Sequence, residues 1–79
     1  MDIESRLDRI FREVLEIDNS VAREALQYQT FVKWNSLAHM SLVAAIESEF
    51  DCVMETDDIL AMSNFQKAVE ITRKYRAGN

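Results

Sequence analysis

The sequence predicts an all-α fold, and three observations carry that prediction. Apolar residues recur at spacings of three and four in separate stretches of the chain. There is no proline, and the only glycine is Gly78, so the tight turns that β-hairpins need are missing. With 79 residues, 48% of them hydrophobic and 29% charged, the chain has the length of one domain and enough apolar side chains for a packed core. The expected architecture is a small four-helix bundle over residues 1 to 79. It has three main helices, one short helix before the last, and a long loop between the first and second.

Residues 2 to 16 form the first helix, because Ile3, Leu7, Ile10, Phe11, Val14 and Leu15 share one face. Asp2 with Arg6 and Asp8 with Arg12 are opposite charges four residues apart on the outer face. Residues 17 to 34 show no sustained period. They read as a loop across the core, anchored by Leu26, Phe31 and Trp34, with a helical turn permitted between Val21 and Gln29. The second helix covers residues 36 to 50, and either Asn35 or Ser36 can cap it. Leu37, Met40, Val43, Ala44, Glu47 and Phe50 follow at helical spacing as its inward stripe. Asp51 suits the left-handed residue that ends such a helix.

A connector at residues 51 to 55 leads to a short helix over residues 56 to 62, capped by Thr56 and favoured by Asp57 and Asp58 at its positive end. Ser63 and Gln66 have the spacing of a capping box for the last helix, whose inward face is Phe65, Ala68, Val69 and Thr72. Arg73, Lys74 and Arg76 complement its C-terminal end, and residues 77 to 79 are expected to fray. Phe11, Leu15, Phe50, Ile59, Phe65 and Val69 are the expected core.

Charge is unevenly placed. No Lys or Arg lies between Lys33 and Lys67, while Glu47, Glu49, Asp51, Glu55, Asp57 and Asp58 give that interval −6 against −5 for the whole chain. Such a surface disfavours nucleic acid and suits basic protein partners, or simply keeps the chain in solution. The lack of internal glycine rules out P-loop, dinucleotide-binding and nucleophile-elbow motifs. Cys52 is the single cysteine, so no internal disulfide forms, and acidic Asp51 and Glu55 should raise its thiol pKa. No signal peptide or membrane-spanning stretch is evident, so a soluble cytoplasmic protein is expected. One His and one Cys thirteen residues apart make no zinc set, and no metal site is expected. Ser36 and His39 lie three apart on one helix, but a hydrolase also needs an oriented base, an oxyanion hole and a pocket. No catalytic residue is assigned, and His39 is expected at the rim, near Ser36.

Asn35-Ser36-Leu37, a helix closing on Ser48-Glu49-Phe50 and the acidic stretch after it resemble the acyl carrier protein family. The resemblance is clear from about residue 34 to 71; Asn35 stands where the family usually has Asp, and Asp51 where it often has Gly. It implies that Ser36 carries 4′-phosphopantetheine, derived from coenzyme A, whose thiol holds an acyl cargo as a thioester. The implied partners are a phosphopantetheinyl transferase and acyl-loading and acyl-using enzymes with basic docking surfaces. The chain itself is expected to act as a monomeric shuttle and not as an enzyme. Asn35, Leu37, Met40, Glu47 and Glu49 are the expected partner-binding residues, with an apolar patch beside Ser36 and an acidic rim farther along. An aminoacyl, peptidyl or polyketide carrier fits the same residues, as does an unmodified helical interaction domain.

Overall fold

The structure is a computed structural model and describes residues 2–77. Gly78 and Asn79, two of the residues expected to fray, lie outside them; Ala77 still belongs to the last helix. Among the described residues, four α-helices follow in order: α1 (Ile3–Leu15), α2 (Ser36–Phe50), α3 (Thr56–Ala61) and α4 (Phe65–Ala77). A single 3₁₀ turn at Arg23–Ala25 interrupts the loop between α1 and α2. Among the described residues there is no β-strand, only an isolated antiparallel bridge between Gln27 and Asn64.

α1 begins where the Asp2 carboxylate accepts the Ser5 N–H at 2.8 Å, covering one of the unpaired first-turn donors. It buries Leu7, Ile10, Phe11 and Leu15, the face that the 3.6-residue period marks. Of the two expected ion pairs on its outer face, Asp8–Arg12 forms. Asp2–Arg6 does not. Asp2 is occupied with capping, and Arg6 turns instead to Glu49 of α2, with its guanidinium over the Phe50 ring at 4.4 Å. That position gives Arg6 an ion pair and a cation–π contact together.

The rings of Phe11, Trp34 and Phe65 join α1, the long loop and α4. Phe11 meets Trp34 edge-on at 5.1 Å and Phe65 at 5.2 Å, an arrangement the ring quadrupoles favour. Leu26 and Trp34 are both buried, as expected of loop anchors, while Phe31 is half-buried. Backbone hydrogen bonds fix the loop along its length: Tyr28 N–H donates to Ser63 C=O at 2.9 Å, and Gln29 N–H to Trp34 C=O at 2.9 Å.

The start and end of α2 fall where expected, but its rotation about its own axis does not. The buried residues are His39, Leu42, Val43, Ile46 and Phe50. Leu37, Met40 and Ala44, placed inward from spacing alone, are exposed, and Glu47 is half-buried. Apolar side chains occupy nearly every side of this helix, so the period does not single out one face. Packing of Leu42, Ile46 and Phe50 against α1 and α4 decides it.

Three smaller corrections concern the second half of the chain. Glu55, not Thr56, precedes α3 as its cap residue, and no side chain caps that helix. Asn64, not Ser63, caps α4, accepting the Lys67 N–H at 2.7 Å; Asn is as good a cap as Ser, and the Ser63 carbonyl is occupied by Tyr28. Ile59 is half-buried, while the other five expected core residues are buried. Asp51 does end α2 in the left-handed region, at φ 53°.

Candidate functional site

The site lies where the long loop meets the first turn of α2. Asn35 is the cap: its side-chain oxygen accepts the Ala38 N–H at 2.9 Å, and its carbonyl accepts the His39 N–H at 2.9 Å. Ser36 is therefore the first helical residue and is exposed. The helix dipole and the outward-pointing N–H groups of this first turn favour negative charge here. Beside it, Leu37 is 80% exposed and Met40 53% exposed, three residues apart on the open side of α2.

The Ser36 hydroxyl has two neighbours from the loop. Its Oγ shares a hydrogen bond with Tyr28 Oη at 2.9 Å, and Gln29 Nε2–H reaches it at 3.4 Å. Gln29 Nε2–H also donates to Tyr28 Oη at 3.2 Å, closing a triangle. Periodicity could not have flagged Tyr28 or Gln29, because they lie in the least regular part of the chain.

His39, expected at the rim, is only 7% exposed. Trp34 Nε1–H donates to His39 Nδ1 at 3.0 Å, which leaves the ring proton on Nε2, and Nε2–H donates to Ile59 C=O at 2.8 Å. His39 thus joins the loop, α2 and α3 from inside. Both ring nitrogens are occupied, so His39 has none free to accept a proton from Ser36. The buried imidazole escapes the cost of an unsatisfied polar group by bonding on both sides.

The acids divide into two sets. Glu49 is bound to Arg6 at 2.8 Å and to Arg9 at 3.4 Å, and hydrogen bonding from Arg6 holds its carboxyl below the usual carboxylate range. Glu47 accepts the Met54 N–H at 2.8 Å and fixes the connector after α2. The Asp58 carboxyl is likewise held low by hydrogen bonds from Lys74 and Tyr75, which tie α3 to α4. Asp51, Glu55 and Asp57 are the acids of this segment that stand exposed. Glu47 and Glu49, assigned to partner docking from the sequence, are thus engaged within the fold. Burial pushes the half-buried Cys52 thiol up, and Glu47 and Asp51 add to the effect; Glu47 takes the part expected of Glu55.

Comparison with family models, curated proteins and solved structures gives no match for this chain. No helix among the described residues is long and apolar enough to cross a membrane.

Proposed function

We propose that the chain is a carrier protein of the acyl-carrier type, with Ser36 as the attachment point of a 4′-phosphopantetheine arm. One observation carries the reading: an exposed serine opens a long helix, with two exposed apolar side chains, Leu37 and Met40, beside it. When bound, the arm supplies a thiol that holds cargo as a thioester.

The residues present suit such a group. Ser36 Oγ is accessible, and the Asn35 cap fixes the turn that carries it. The positive end of α2 favours the phosphodiester charge that attachment would add. Leu37 and Met40 offer apolar contact to a transferase or a cargo-using enzyme, and burying such side chains at an interface is favourable. Exposed Asp51, Glu55 and Asp57 suit basic partner surfaces and would act mainly on the rate of encounter.

The test is intact-mass measurement after incubation with a phosphopantetheinyl transferase and coenzyme A. Wild type should gain one arm, and Ser36→Ala should gain none while keeping its helical circular dichroism. A gain that persists in Ser36→Ala would move the site to another serine. No gain in wild type would favour an unmodified helical interaction domain.

A further inference from the structure

An exposed serine hydroxyl is ordinarily a free rotor, able to donate or accept in any direction. In this chain it is not free. Tyr28 Oη lies 2.9 Å from Ser36 Oγ, and the Gln29 amide spans both oxygens at 3.2 and 3.4 Å.

The two loop residues are themselves held in place. The Tyr28 ring meets Trp34 edge-on at 6.1 Å and leans on His39 at 4.7 Å, so the internal Trp34–His39 pair sets where the hydroxyl ends up. The backbone N–H groups of Tyr28 and Gln29 are fixed by Ser63 and Trp34. Gln29 sits at φ 70°, a left-handed conformation that is sterically costly for a residue with a Cβ and comfortable for glycine. A residue other than glycine therefore occupies a position where glycine would strain less, and its amide reaches Ser36.

We infer that Tyr28 and Gln29 are positioning residues for modification of Ser36, holding Oγ in one rotamer for attack. The inference rests on the carrier reading. In the transfer, Oγ forms a bond to the pantetheine-side phosphorus of coenzyme A. The bond from that phosphorus to the bridging oxygen breaks, and adenosine bisphosphate leaves with the electron pair. The serine proton passes to a base of the transferase. Attack of this kind depends steeply on the placement of the nucleophile. Neither loop residue takes part in the bond changes; each acts through the Ser36 side chain.

Two variants test this. Tyr28→Phe keeps the ring packing and removes the hydroxyl. Gln29→Gly removes the amide and relieves the left-handed backbone, so it should hold or raise the melting temperature while slowing transfer. With a phosphopantetheinyl transferase and coenzyme A, each variant should lower kcat about tenfold. KM should stay within about twofold, because binding of the carrier is not what changes. The Hα–Hβ couplings of Ser36 in the unmodified protein should report one rotamer in wild type and averaging in both variants. If wild type is modified and both variants match it in kcat, or if the wild-type couplings are already averaged, the inference is overturned while the carrier reading stands. If wild type takes no arm, the carrier reading fails and the inference fails with it.

Discussion

α1 and α2, two of the three long helices, pack on each other, and they divide their apolar residues differently. In α1 the buried set is Leu7, Ile10, Phe11 and Leu15, with Ile3 and Val14 half-buried at its edges; its outer face carries Asp8, Arg9, Arg12 and Glu13. In α2 the buried set is His39, Leu42, Val43, Ile46 and Phe50, yet Leu37 and Met40 remain outside and the first turn has no acid. α1 uses its apolar side chains for the core. α2 has more of them than the core takes up, and the surplus sits beside Ser36. A polar helix surface is the ordinary solution for a water-facing side, so this surplus is what a partner-binding role for α2 predicts.

The largest test of the contrast is the same substitution on both helices. Leu7→Ala should cost about 2–5 kcal/mol, as expected of a wholly buried leucine. Leu37→Ala should change stability by no more than about 0.5 kcal/mol, the usual range for an exposed site. Urea unfolding of the two variants gives both values. Equal costs would mean that Leu37 is packed and the contrast is false. On the carrier reading, Leu37→Ala should instead speed dissociation from a transferase while preserving the salt dependence of association.

Phe50 is the point where α2 does contribute to the core. Phe50→Ala should cost about 3–5 kcal/mol and also remove the ring under Arg6. An unchanged melting temperature would mean that the buried face of α2 lies elsewhere.

Next in size is the cap. Asn35→Ala should destabilise by roughly 0.5–2 kcal/mol, because the Ala38 N–H loses its partner. Asn35→Asp keeps an acceptor there and adds charge at the positive end of α2. Its stability should match or exceed that of wild type, and modification by a generic transferase should speed up. An unchanged or slower rate would remove the argument that Asn35 in place of Asp limits modification.

The smallest effects concern the ion pairs between elements. Glu49→Gln should cost less than the cap variant, since the Arg6 pair is reached by water and exposed ion pairs contribute little. Glu49 and Asp58 both have folded pKa values below their ordinary ones. Their stabilisation is therefore present above the ordinary carboxylate range and is lost as pH falls through the folded values. Thermal melts across an acidic series should show stability falling there, with the fall shallower in a Glu49→Gln, Asp58→Asn double variant. Parallel profiles for the two proteins would assign the acid sensitivity to other carboxylates.

How much of this was legible follows from the range of each interaction. Helix positions were legible because periodicity and the left-handed Asp51 are local, as was the inward face of α1, where polar residues mark the other side; the caps of α3 and α4 were not, because neighbouring residues compete for each helix start. Ser36 was visible as a helix opener for the same reason. The burial of His39 was not, because its partners Trp34 and Ile59 belong to two other elements. Nor was the commitment of Glu49, whose partner Arg6 lies 43 residues away.

By itself, the sequence determined an all-helical chain with a long ordered loop, an acidic stretch between Lys33 and Lys67 and a serine at the start of α2. Only the tertiary structure decided which way α2 faces. Many rotations of so apolar a helix bury similar area, and the steric fit of Leu42, Ile46 and Phe50 against α1 and α4 selects one of them. That rotation leaves Leu37 and Met40 in water and places His39 inside. The loop's packing on His39 and Trp34 then brings Tyr28 and Gln29 onto Ser36, a contact that no spacing in the sequence encodes.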